Sequence, residues 1–109
     1  MTLVVGGYKL TRDQVLAWCA PRDINPPKYN VAVRVNRYLR AQGITRTYLL
    51  PCDYQGKPIF LVVTNSKDDP KATTDKFESF HESEAARRIK SELEVEEVEF
   101  VTVANPYAY

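Results

Sequence analysis

Residues 47–64 read Thr47-Tyr-Leu-Leu-Pro-Cys-Asp-Tyr-Gln-Gly-Lys-Pro-Ile-Phe-Leu-Val-Val-Thr64. Both ends of this stretch, Thr47–Leu50 and Ile59–Thr64, are rich in β-branched and aromatic residues, which fit a pleated surface. Gln55-Gly56 between them supplies a tight turn, so the stretch is predicted to fold as a β-hairpin. Pro51 and Pro58 cannot donate to a ladder and predict bulges or an edge position. Ile59–Val63 shows no polar alternation, which predicts a strand covered on both faces.

Helix signals flank the hairpin. On its N-terminal side, Thr11-x-x-Gln14 is a capping box, in which the hydroxyl and the Gln side chain each satisfy one free backbone N–H. Leu10 and Val15 complete it as a hydrophobic staple, and Pro21 ends this first helix near Ala20. Val15, Trp18 and Cys19 share one side, which is expected to face the core. A second helix is predicted over 26–42, with Asn25 as N-cap, Pro26 at the first helical position and Gly43 as the left-handed C′ residue. Ile44 then touches Leu39 in a Schellman motif. Val31, Val35 and Leu39 form its apolar stripe with Tyr38 beside it, and Arg34, Arg37 and Arg40 fall on the opposite side.

Thr2–Val5 reads as a short strand, and Gly6-Gly7 as a chain reversal requiring positive φ. Beyond the hairpin, Asn65–Thr74 is polar and reads as a mobile loop. A third helix is expected over about 76–94, with Asp75-x-x-Glu78 and Ser79-x-x-Glu82 competing as capping boxes. Ala85, Ala86, Ile89 and Leu93 make its buried side. Glu97–Ala104 is a last strand, and 105–109 a frayed tail.

The resulting order, β-α-α-β-β-α-β, lacks regular βαβ alternation. It predicts a single α+β domain over residues 1–109, three helices on a small, mostly antiparallel sheet of three or four strands. The length supports this: 109 residues correspond to one domain by the usual ~100–200 residues per domain. Apolar residues make up 44% and charged residues 27%, which excludes a wholly disordered chain and a disulfide-dense mini-protein.

Met1–Leu10 lacks a basic region, and its apolar stretch is only Leu3–Val5, unlike a signal peptide. The longest apolar run, Ile59–Val63, falls far short of the ~20 residues that span a bilayer. These features predict a cytoplasmic protein without membrane contact. The two cysteines, Cys19 and Cys52, then read as reduced thiols.

No cofactor or metal motif is present. His81-Glu82-Ser83-Glu84-Ala85 begins like a zinc-binding HExxH but ends in Ala, so the second ligand is missing. A thiol-dependent enzyme built on Cys52 and His81 is the weakest functional reading. It needs a thiolate, and neighbouring Asp53 opposes one.

Charge patterning carries more. Residues 1–48 hold eight Lys/Arg against two Asp/Glu, and residues 49–109 hold seven against twelve, giving net charges of +6 and −5. Two partners fit the basic half: the acidic half itself, or an external polyanion. Arg34, Arg37 and Arg40, with Lys28 and Arg46 near the helix ends and Tyr29 and Tyr38 to stack on bases, would suit nucleic acid. Tyrosine is rigid and amphipathic, which suits interfaces, and Tyr107 and Tyr109 lie in the tail. The leading expectation is a non-catalytic interaction module. It would bind a protein partner or a second copy through the arginine helix, the tyrosine tail or a sheet edge. Nucleic-acid binding is the alternative.

Overall fold

The computed structural model of the chain describes residues 2–25, 30–73 and 75–105. Four antiparallel strands form one sheet in the order β2-β3-β1-β4, with β1 Thr2–Leu10, β2 Tyr48–Tyr54, β3 Lys57–Asp69 and β4 Glu99–Asn105. Three helices, α1 Arg12–Cys19, α2 Val31–Ala41 and α3 Glu84–Glu92, complete the α+β fold in the order β-α-α-β-β-α-β, with a 3-10 turn at Ala20–Arg22 after α1.

The hairpin forms as its residues predict. Gln55 and Gly56 both adopt positive φ, at 52° and 77°, which matches the twist of a two-residue type I′ turn. Tyr48–Tyr54 then pairs with Lys57–Val63 without a shift in register, so neither proline sits at a bulge. Pro51 is accommodated because β2 is an edge strand.

β1 runs through Gly6-Gly7 rather than stopping at Val5, and neither glycine has positive φ. The need for glycine here is steric. A Cβ on Gly7 would stand 1.9 Å from the Val62 carbonyl oxygen, and one on Gly6 would meet the Phe80 ring at 2.9 Å. The register shifts at this point, Gly6 facing Asn65 and Gly7 facing Val63, so Thr64 is the extra residue of a bulge. Past the bulge β3 continues to Asp69. The polar stretch 65–69 expected as a loop is therefore a strand. Its register with Thr2–Gly6 is supplied by β1, a long-range partner that polar composition does not reveal.

The helices differ at their starts. Thr11 caps α1 with the capping box intact. α2 begins at Val31, after Asn30 in a left-handed conformation, and the first helical position expected at Pro26 after the Asn25 cap lies outside the described residues. At its end the Schellman motif forms: Gly43 N–H donates to the Arg40 carbonyl at 3.0 Å and Ile44 N–H to that of Leu39 at 2.8 Å. α3 is shorter than expected. Ser83 accepts from Ala86 N–H and starts it, and both upstream capping boxes stay non-helical. Ala86, Ile89 and Leu93 are buried, but Ala85 is exposed.

Residues 70–73 and 75–83 are held as a strap across the sheet, and this overrides the helical pattern. The Thr2 hydroxyl donates to the Ala72 carbonyl at 2.9 Å, Phe80 N–H donates to Thr102 Oγ1 at 2.9 Å, and the Tyr8 hydroxyl donates to Glu82 Oε2 at 2.7 Å. Phe77 and Phe80 pack with Val4, Ala72 and Ala104, burial that a helix over 76–83 would forfeit.

The two faces of the sheet carry separate cores. All three helices contribute to one, built around Tyr8, Val15, Cys19, Val35, Leu49, Val62 and Ile89. The other contains Val5, Leu61, Val63, Val101 and Val103, and every member belongs to a strand. β2 and β4 are not hydrogen-bonded neighbours, yet they come into contact. The sheet therefore curls, and its concave face buries these residues without a covering helix. Ile59–Val63 is flanked by both cores, as its lack of alternation requires.

Candidate interaction surfaces

The amphipathic pattern of α2 sets its orientation. Val31, Ala32, Val35 and Leu39 are buried, which leaves Arg34, Arg37 and Arg40 exposed on the outer side together with Val33, 47% accessible. Among the described residues none of the three arginines has a carboxylate within ion-pair distance. Other cations do. Lys9 pairs with Glu99 at 3.4 Å, Arg22 with Glu94 at 3.9 Å and Arg46 with Glu92 at 2.8 Å, each joining the basic half to the acidic half. Arg87 pairs with Glu82 and Arg88 with Glu84. Internal docking of the two halves thus uses Lys9, Arg22 and Arg46, and stops short of the α2 arginines.

Of the remaining residues singled out for nucleic acid, the described ones, Tyr38 and Arg46, are engaged elsewhere. Tyr38 is half-buried, and its ring packs edge-on against Trp18 at 5.9 Å, so it is committed to the core. Arg46 is engaged with Glu92. Lys28, Tyr29, Tyr107 and Tyr109 lie outside the described residues.

The two thiols lie on opposite faces of the sheet. Cys19 is fully buried in the helical core and Cys52 half-buried on the concave face, so they do not pair. Burial, and secondarily the Asp53 carboxylate, push the Cys52 thiol up to about 11, so it is protonated at neutral pH. Burial also raises Cys19. No hydrogen bond joins exposed His81 to Cys52. Among the described residues no group of three His, Cys, Asp or Glu side chains is placed to hold a metal ion. No helix among them is long and apolar enough to cross a membrane.

A sheet edge was the other expected docking element. The outer edge of β2 is occupied at Leu49, whose N–H donates to Asn36 Oδ1 at 2.7 Å and whose carbonyl accepts from Asn36 Nδ2 at 3.0 Å. Outward groups recur every second residue, so the next outward position is Pro51, which has no N–H.

Sequence reasoning missed one surface. Where the curled sheet opens between the β2–β3 hairpin and β4, a groove of about 1310 Å³ forms. All four phenylalanines of the chain, Phe60, Phe77, Phe80 and Phe100, line it, with Tyr54. Asp53, Asp75 and Glu99 lie along it against one guanidinium, Arg12. At one end Lys9 Nζ sits 5.2 Å from the centre of the Tyr54 ring and 3.4 Å from Glu99.

No protein-family model matches the chain, and no curated protein or solved structure matches it.

Proposed function

We propose that the protein is a non-catalytic interaction module that binds an acidic protein partner through the outer face of α2. One observation carries this reading: among the described residues Arg34, Arg37 and Arg40 are exposed and without a carboxylate partner, while Lys9, Arg22, Arg46, Arg87 and Arg88 hold carboxylates. Guanidinium groups are weakly hydrated and bind carboxylates bidentately, so an unpaired row of them favours an acidic surface. Val33 beside them adds apolar area that a phosphate backbone would not use. Engagement of Tyr38 with Trp18 removes a base-stacking group and favours the protein over the nucleic-acid alternative.

Fluorescence anisotropy tests the choice. A labelled Glu/Asp-rich peptide is expected to bind at low salt, and R34E/R37E/R40E to weaken it at least tenfold with folding retained by circular dichroism. Tighter binding of a labelled oligonucleotide, its log K falling with log salt at a slope near −0.7 to −0.9 per phosphate neutralised, would transfer the face to nucleic acid. If neither probe binds, the reading fails.

A further inference from the structure

We infer that the groove between the hairpin and β4 receives the arginine face of α2 from a second copy of the chain, joining copies head to tail. The inference rests on the proposed role of α2 and names its partner.

The groove suits a cationic, partly apolar occupant. Its aromatic rings attract cations through their faces, and with Glu99 paired to Lys9 the two remaining carboxylates, Asp53 and Asp75, outnumber the guanidinium of Arg12. The chain itself demonstrates the chemistry at one end. Lys9 is held there between the Tyr54 ring and the Glu99 carboxylate. Asp53 and Asp75 lie on the same groove, both exposed. Phe77 and Phe80 give it an apolar wall.

The outer face of α2 has the matching character. It combines three guanidinium groups that have no carboxylate partner among the described residues with Val33, which is 47% accessible. The overall split, +6 over residues 1–48 and −5 over 49–109, gives the contact a long-range bias of the same sign. Edge-to-edge pairing through β2, one competing route to self-association, is obstructed by Asn36 and Pro51.

The two surfaces are different patches of one molecule, so the contact is heterologous. Such contacts do not stop at two copies unless the rotation closes a ring. Mixing therefore gives a distinctive test, read by light scattering and sedimentation velocity at low salt. The mass of the wild-type chain is expected to rise with concentration beyond the dimer and to fall towards the monomer as salt is added. R34Q/R37Q/R40Q, which removes the positive charge without reversing it, and D53K/D75K are each expected to be monomeric alone. Their equimolar mixture can form only the contact between an intact α2 and an intact groove, and is expected to stop at twice the monomer mass. K67E/K71E, altered elsewhere, should associate like wild type. A wild-type chain that stays monomeric up to millimolar concentration overturns the inference, as does a mixture of the two variants that stays monomeric. If the wild type is monomeric yet binds the acidic peptide through its arginines, only the inference falls. If it does neither, the reading of α2 falls with it.

Discussion

The carboxamide of Asn36 on α2 makes both hydrogen bonds that a fifth strand would make with Leu49 on the outer edge of β2, accepting from its N–H at 2.7 Å and donating to its carbonyl at 3.0 Å. α2 thus does two jobs. Its inner side covers the helical core, and one polar residue at the boundary of that side terminates the sheet. Removing the side chain leaves two half-buried backbone groups without partners. Asn36→Ala is expected to cost about 1–3 kcal/mol, the penalty for unpaired buried polar groups. Asn36→Asp, which keeps the acceptor but sets a carboxylate oxygen against the Leu49 carbonyl in a half-buried site, should cost at least as much as Ala at neutral pH. Urea unfolding measures both. The same Ala variant frees the β2 edge, so faster aggregation at equal fraction unfolded is expected. Equal aggregation rates would show that the carboxamide does not guard the edge.

Gly6 and Gly7 are adjacent in β1, yet they require glycine for different reasons, and substitution separates them. A Cβ on Gly7 would collide with the Val62 backbone at 1.9 Å, and no side-chain rotation relieves that. Gly7→Ala is expected to exceed the ~1–3 kcal/mol typical of overpacking and to leave little folded protein. On Gly6 the collision is with the Phe80 ring at 2.9 Å, on a strap that can shift. Gly6→Ala should cost about 1–3 kcal/mol and be partly rescued by Phe80→Leu. If rescue fails and both glycine variants lose equal stability, Phe80 is not the obstacle at Gly6.

Much of the fold was legible locally. The Thr11 capping box, the Gly43 Schellman end of α2 and the Gln55-Gly56 turn rest on hydrogen bonds within a few residues, and each formed where its residue types indicated. What escaped depends on distant partners. Lys67 and Asp69 are polar, and only the register with Val4 and Thr2 makes them strand residues. Phe77 and Phe80, three residues apart, fit the period of a helix as well as that of a strap. The choice is made by Thr2, Tyr8 and Thr102, which lie 22 to 74 residues away from their strap partners. The arginine face was readable from 100° spacing alone, but its lack of carboxylate partners was not. The groove was invisible because its four phenylalanines come from three separate parts of the chain.

Two helices end in the same motif with different residues in the left-handed position. Gly43 occupies it after α2 at φ 77°, and Glu94 after α3 at φ 58°. At Glu94 the bonds of the Schellman motif are also present, its N–H donating to Ser91 and that of Val95 to Lys90. A side chain in this conformation is strained where glycine is not. Glu94→Gly is therefore expected to stabilise the protein by about 0.5–1 kcal/mol, and Gly43→Ala to destabilise it by about the same amount. The pair Glu94 forms with Arg22, at 3.9 Å on a largely exposed carboxylate, subtracts little. Thermal or urea unfolding of the two variants checks the opposite signs. Destabilisation by Glu94→Gly would mean that the Arg22 contact outweighs the backbone strain.

The concave face makes a prediction at high pH. The Cys52 thiol is pushed up to about 11 by burial and by Asp53, against about 8.5 for an unfolded cysteine. Between those values the folded chain holds a proton that the unfolded chain has released, so stability falls as pH rises through this window and is constant below it. Cys19 and Tyr48, raised by burial, act in the same direction, and so does Tyr8, raised by burial and by its bond to Glu82. The urea midpoint is expected to be level up to about pH 8 and then to decline. Cys52→Ser should flatten the first part of that decline and leave the later part, where the tyrosines titrate. Alkylation reports the same thiol kinetically. The rate of Cys52 modification in the folded protein should climb about tenfold per pH unit from pH 8 to beyond pH 9, because only the thiolate reacts. Asp53→Asn removes the secondary cause of the shift and should raise the rate at any fixed pH in that range. A rate that levels off near pH 8.5 would show an ordinary thiol, and the burial of Cys52 in the curled sheet would be wrong.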